Sequence, residues 1–372
     1  MKIRQVDTGR RRDVRQFVSF PFDLYRTCPQ WVPPLVSDEM RALNRDKHPF
    51  YRHAAADFFL AESEGQPLGR LAVMDHRHYN EHLGTQRAFF GLFEAVEDRE
   101  VARGLFEAAF HWARARGLNH LRGTQKLGSA EPAGVLVEGF EHRPALGMPY
   151  NYAYYDALIA DSGFEKEGDS LSGYLSGDYR LPERFLRIAE QIKERRGLWV
   201  KTFRSKAELR RWVPRVVPVL LQSFAEFEDQ VPPTDDEVAQ FRDTVLAIAR
   251  PSLIKLVMKD DEVVGFLFAY PDISAALQKT RGRLWPLGWM HLLVEQRRTP
   301  WVNINGMGVL PAYQGRGAVL LLYTELAKTI KSCGFEHADI VAVGENNLKS
   351  RSEMEGIGVR WYKRHRTYRR AL

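Results

Sequence analysis

The chain has 372 residues, 44% hydrophobic and 27% charged, with 54 basic against 47 acidic side chains and a formal net charge of +7. That length holds two domains of ordinary size. No apolar run approaches the ~20 residues of a membrane span, the N-terminus has no secretory pattern, and Cys28 and Cys333 form no disulfide framework and no metal-ligand spacing, so the expectation is a cytoplasmic globular protein without a metal.

In chain order, residues 58–69 read as a strand, a polar tight turn and a second strand entered through Leu68-Gly69. A strand follows over 88–95, a helix over 101–116 closed by Gly117, and a strand over 118–123. Residues 124–150 form a long irregular passage rich in Gly and Pro. A helix at 154–162 stops before Gly163-Phe164. Gly173, Gly177 and Pro182 punctuate a boundary, and a connecting helix is expected over 183–196.

The second half then repeats the first. Residues 254–265 match residues 58–69 without a gap, and a strand at 302–310, a helix at 319–333, a strand at 338–343 and a helix at 348–356 follow in the same order. An added helical segment at 274–298 separates its third and fourth strands. The fold class is therefore α/β, with a mixed sheet in each of two tandem domains. We assign 1–178 to the first domain, 179–196 to a linker helix and 197–372 to the second.

Between the strand at 302–310 and the next helix runs Gly308-Val309-Leu310-Pro311-Ala312-Tyr313-Gln314-Gly315-Arg316-Gly317-Ala318-Val319. Glycines here let the backbone wrap an anion, the helix N-terminus presents unpaired N–H groups and the positive end of a dipole, and Arg316 adds charge. This is a phosphate cradle. A dinucleotide fingerprint needs its glycines after the first strand and an acid about twenty residues on, and a Walker A loop needs Gly-Lys-Ser/Thr; neither pattern is met.

The turn and its order of hairpin, strand, turn, helix, strand and helix resemble the GNAT superfamily of CoA-dependent N-acyltransferases. The match covers the second half well and the first in outline, which makes the whole similar to a tandem GNAT pair. In that family the turn is Arg/Gln-x-x-Gly-x-Gly/Ala, met here by Gln314 and Gly317, with Val319 in the last place. The resemblance implies acetyl-CoA or another acyl-CoA as co-substrate, its pyrophosphate on Gln314, Gly315, Arg316, Gly317, Ala318 and Val319. It implies a pantetheine arm along Met307, Gly308 and Val309, with Asn347 at the start of the next helix. The family's Tyr seven residues after that Asn is Met354 here, so the acid that protonates the thiolate is unassigned.

The corresponding segment of the first domain is Val96-Glu97-Asp98-Arg99-Glu100. Three carboxylates at a helix start satisfy the dipole internally and repel a pyrophosphate, so that domain is expected not to bind CoA. For the general base, Glu226, Glu228, Asp229 and Glu345 are the candidates, with Glu228 and Glu345 ranked first; each also reads as a loop or capping acid. The apolar, aromatic run at 281–293 reads as a lid over an acyl chain, a lipid-touching surface or a packing helix. Arg360, Lys363, Arg364, His365, Arg366, Arg369 and Arg370 read as a solvated basic strand or an anion-binding patch.

The expected function is an acyl-CoA-dependent N-acyltransferase, most simply from acetyl-CoA to the amine of a small molecule, with no specific nucleic acid and no membrane span. The alternatives are a non-catalytic acyl-CoA-binding protein, suggested by Met354, and a nucleic-acid-associated protein using the basic C-terminal segment.

Overall fold

The computed structural model describes residues 1–125, 127, 133–224 and 231–372. They divide into two compact units, Met1–Leu171 with Ser274–Leu292 and Tyr362–Leu372, and Ser172–Ile273 with Leu293–Trp361.

The first unit opens with β1 (Lys2–Gln5), α1 (Arg11–Leu24) and α2 (Val36–Ala42). A hairpin of β2 (Ala54–Ser63) and β3 (Gln66–His76) turns at Glu64-Gly65, with φ of 51° and 77°. Positive φ at both turn residues matches the twist of the flanking strands. Then come α3 (Arg77–Leu83), β4 (Arg87–Ala95), α4 (Arg99–Arg114), β5 (His120–Gly123), β6 (Val135–Glu138), α5 (Tyr155–Asp161) and β7 (Glu165–Ser176), whose last residues lie in the second unit. The sheet runs β1-β2-β3-β4 antiparallel, and β4 pairs β5 in parallel.

Along α4, Val101, Ala102, Leu105, Phe106, Ala109, Phe110 and Ala113 recur at helical spacing and are all buried. They pack on that sheet. The ring of Phe106 lies 4.8 Å, centroid to centroid, from both Phe93 and Phe164, so this core is held largely by aromatic burial.

The second unit repeats the pattern. It comprises α6 (Glu183–Arg196), β8 (Leu198–Thr202), α7 (Lys206–Phe224), α8 (Asp235–Ile248), β9 (Lys255–Lys259) and β10 (Glu262–Pro271). After an insertion of α9 (Ser274–Thr280) and α10 (Gly288–Arg298) it continues with β11 (Trp301–Val309), α11 (Ala318–Ser332), β12 (His337–Gly344) and α12 (Leu348–Gly356). Strands β8-β9-β10-β11 are antiparallel and β11 pairs β12 in parallel. Asp260, matching Glu64 in the internal repeat, has the same positive φ, 50°. Thr234 and Glu237 form a reciprocal capping box that starts α8.

Two placements refine the expected layout. Helix α6 spans the residues expected of a linker, but Ala189 and Ile192 bury into the second unit's core with Leu321, Leu322 and Leu326. The last strand, β13 (Arg360–Ala371), pairs Tyr368–Ala371 with β5 and Arg364–Arg366 with β6, so residues 362–372 belong to the first unit's sheet. Its basic side chains are not simply solvated. Arg364 lies 3.0 Å from Glu138 and 3.1 Å from Asp169, Arg366 lies 2.9 Å from Asp169, and Arg369 lies 2.8 Å from Glu165. Lys363, His365 and Tyr368 are buried. Internal acids thus neutralise much of the charge on which a nucleic-acid reading rested.

Candidate functional site

Strand β11 carries a bulge. Leu267 of β10 pairs Met307 and Ala269 pairs Ile304, so Asn305 and Gly306 together face Phe268, and Gly306 has φ of 109°. One extra residue bends a strand and re-aims the residues beyond it. The parallel ladder to β12 runs from Trp301↔His337 to Ile304↔Ile340 and forms no further pair, although both strands continue. Residues 305–309 and 341–344 therefore run on as the two prongs of a fork, with backbone donors and acceptors along its edges.

At the fork's end the chain enters the glycine turn. Gly315 and Gly317 have φ of 68° and 87°, and α11 begins at Ala318 with no side chain capping its first amides. An uncapped helix start with glycine on its approach is an anion site. Gly317 also marks a close approach, because a Cβ there would overlap Ile192 of α6. Arg316 is exposed over the Tyr313 ring. Lys349, a cation that no motif in the sequence singles out, donates to Gln314 Oε1 at 3.3 Å, and the Gln314 amide donates to the Val309 carbonyl at 3.4 Å. Two positive charges thus flank the turn. At Gly308, a Cβ would press on Phe266 and on Ser223 of α7. Asn347 spends its side-chain oxygen as the N-cap of α12, accepting from Ser350 N–H at 3.1 Å.

A polar row crosses the sheet beside the fork. The register pairs Tyr270 with Asn303 and Asn303 with Asp339, so these side chains share one face, opposite the one on which Val302 and Ala338 pack with α11. Asn303 is fully buried, donates to Asp272 Oδ2 at 3.2 Å, and its own oxygen has no hydrogen-bond partner among the described residues. Asn305, on the bulge, donates to the Tyr270 hydroxyl at 3.1 Å. Burial pushes the Tyr270 hydroxyl up to about 12 against that hydrogen bond, and the charges of Asp272 and Asp339 add to the rise. A half-buried hydroxyl and two buried carboxylates beside the β11 bulge form an acid–base set. Asp339 is far in sequence from Tyr270 and Asp272, and strand register through Asn303 brings it to them.

Of the expected bases, Glu345 is half-buried in the loop between β12 and α12, where its carbonyl accepts from Arg351 at 3.0 Å. Glu226, Glu228 and Asp229 lie outside the described residues. Met354 is buried with Ile340, Val343 and Val359. Among the described residues no group of His, Cys, Asp and Glu is arranged to hold a metal, and no helix is long and apolar enough to cross a membrane.

The first unit has the same bulge but, among its described residues, neither fork nor cradle. Arg70 pairs Glu94 and Ala72 pairs Gly91, with Leu92 at φ 50°. There Gln125 stays on β4, donating its N–H to the Phe90 carbonyl at 2.9 Å, and leaves no room for a Cβ at Gly91. Asp98 caps α4 by accepting from Glu100 and Val101 N–H at 2.8 and 3.4 Å, which closes the amides that an anion needs.

Residues 218–358 match the Acetyltransferase (GNAT) family. The chain is 26% identical to protein YghO of Escherichia coli over 97% of this chain and 94% of that one. It is 27% identical to the bacterial ceramide synthase of Caulobacter vibrioides over 97% and 95%. Among solved structures, it is similar to a tandem GNAT protein from the clavulanic acid biosynthesis pathway, with a TM-score of 0.58 and 14% identity over 100% of this chain and 98% of that one. A GCN5-related N-acetyltransferase from Sphaerobacter thermophilus matches with a TM-score of 0.52 and 13% identity over 100% and 95%.

Proposed function

From a chain with the tandem GNAT fold and a GNAT-family domain at residues 218–358, we propose an acyl-CoA-dependent N-acyltransferase whose reaction centre lies in the second unit. The observation that carries this reading is the β11/β12 fork opening beside the uncapped start of α11. The amides from Gly315 to Val319, with Arg316 and Lys349, take the pyrophosphate. The backbone of Met307, Gly308 and Val309 lines the arm. The first unit, with Asp98 on its helix start and Gln125 against Gly91, binds no CoA.

In the reaction, the amine nitrogen attacks the thioester carbonyl carbon, a C–N bond forms and the C–S bond breaks. Asp272 and Asp339 attract the substrate ammonium and take its proton. The Tyr270 hydroxyl, protonated at neutral pH, gives a proton to the leaving sulfur in place of the residue missing at Met354. Orientation of the two substrates supplies much of the acceleration.

The relative named a bacterial ceramide synthase suggests the acceptor class. A ceramide is the amide of a long-chain amino alcohol, so long-chain amino alcohols with fatty acyl-CoA are the first pair to try, beside acetyl-CoA and small amines. Thiol release measured over acetyl- and palmitoyl-CoA with both amine classes tests the reading. Turnover in any combination supports transfer; failure to bind either acyl-CoA refutes it. Binding without turnover in every combination favours the second reading, a non-catalytic acyl-CoA-binding protein, for which buried Met354 is the specific observation.

A further inference from the structure

Six of the eleven exposed large apolar side chains among the described residues fall in one short segment: Trp285, Leu287, Trp289, Met290, Leu293 and Val294. Trp285 is 84% exposed. Within α10, Trp289 and Leu293 form one row and Met290 and Val294 the next, so the four make a continuous stripe. Continued along the helix, the two rows end on Arg297 and Arg298, which suit the negative end of the dipole. His291, Glu295 and Gln296 are half-buried instead. The helix therefore turns an apolar stripe outward while three polar side chains lie inward beside Leu292, which is not how a helix packed for water alone is arranged.

The segment is also basic. Lys279, Arg281, Arg283, Arg297 and Arg298 are exposed, none is paired with an acid among the described residues, and Glu295 is the one acid among residues 279–298. The fold holds the approach to α10 firmly. Val36 N–H donates to the Gly282 carbonyl at 3.0 Å, and the Gln278 amide donates to the Pro29 and Trp31 carbonyls at 2.8 and 3.0 Å.

We propose that this stripe rests in the headgroup region of an anionic lipid bilayer, with the tryptophans and leucines at the acyl boundary and the five cations on lipid phosphates. At 11 residues, α10 is about 16 Å long, too short to cross a bilayer but suited to lie along its surface. Tryptophan favours that interface, and arginine side chains reach from an apolar stripe to phosphate. A second copy of this chain fits less well, because a two-fold contact would set the arginines against one another.

The test is independent of acyl transfer, since vesicle sedimentation needs neither acyl-CoA nor amine. The full chain is mixed with phosphatidylcholine vesicles with and without phosphatidylglycerol. Binding is expected to the anionic vesicles and to weaken at 0.5 M salt. The triple variant Trp285→Ser/Trp289→Ser/Leu293→Ser should bind about a hundredfold more weakly, with an unchanged circular dichroism spectrum and melting temperature. Arg281→Glu/Arg283→Glu, which leaves the stripe intact, should reduce binding to anionic vesicles alone. Absence of binding overturns the proposal, as does binding that the folded triple variant retains. Self-association abolished by that variant, without vesicle binding, overturns it in favour of a protein interface.

Discussion

Gly317 and Ile192 meet so closely that a Cβ on the glycine would overlap the Ile192 Cδ1 atom. The glycine turn is thus held from beneath by α6 as well as shaped by its own positive φ. Gly317→Ala should destabilise the chain by about 2 kcal/mol, from overpacking plus left-handed strain. Pairing it with Ile192→Ala removes the overlap, so the double variant should lose less than the two single losses added together. Urea denaturation of the four proteins measures this; strict additivity would mean the two residues do not press on each other.

Gly315 offers a cleaner probe of the anion site, because a Cβ there meets nothing within 4 Å. Gly315→Glu places a carboxylate at the cradle at a backbone cost of about 1 kcal/mol. We expect calorimetry to show CoA affinity falling at least about tenfold, with folding retained. Arg316→Ala and Lys349→Ala should each weaken CoA about fivefold, and less at high salt. Undiminished affinity in Gly315→Glu would move the pyrophosphate elsewhere.

Much of this fold is legible in the sequence for local reasons. The helices at 183–196 and 348–356 are bounded by Pro182 and Gly197 and by Asn347 and Gly358, and the hairpins declare themselves at Glu64-Gly65 and Asp260-Asp261. The phosphate cradle is equally local. The fork and the row of Tyr270, Asn303 and Asp339 are not, since they exist only through cross-strand register and one bulge at Asn305-Gly306. Alternation on β11 makes Asn303 look like an ordinary polar position, and nothing nearby in sequence reveals that Asp272 receives its hydrogen bond. The pairing of β13 with β5 is long-range in the same way: the basic run at 363–370 shows its charge, but not the acids at Glu138, Asp169 and Glu165 that meet it.

Tyr270→Phe removes one oxygen and keeps the ring in place. If its hydroxyl protonates the leaving thiolate, kcat should fall about a hundredfold while the dissociation constant for acyl-CoA stays the same. The high-pH arm of the kcat profile should also change, since burial holds that hydroxyl near 12. Asp339→Asn should raise KM for the amine as well as lower kcat, because its charge also attracts the ammonium. An unchanged kcat in Tyr270→Phe would transfer the acid role to another group.

Asp169 is the anchor of the C-terminal strand in the first unit, and it links stability to pH. Its carboxylate is fully buried and accepts from Arg366 at 2.9 Å, Lys166 at 3.0 Å and Arg364 at 3.1 Å. Burial alone raises the pKa of this carboxyl, but hydrogen bonds from Arg366, Lys166 and Arg364 outweigh it and hold the group below the usual carboxylate range. A folded-state pKa below the unfolded one means that folding favours the ionised form. The contribution is therefore complete above the unfolded value of ~3.9 and is lost as pH falls through the folded value. Asp169→Asn should cost about 2 kcal/mol at pH 7, less than a fully buried pair would, because Arg364 keeps Glu138 and Arg366 keeps Asp156. The gap between wild type and variant should narrow as pH drops below 4, since both then carry a neutral side chain at this position. Urea midpoints of the two proteins across that range decide it, and a gap that stays constant down to pH 2 would remove Asp169 from the acid response.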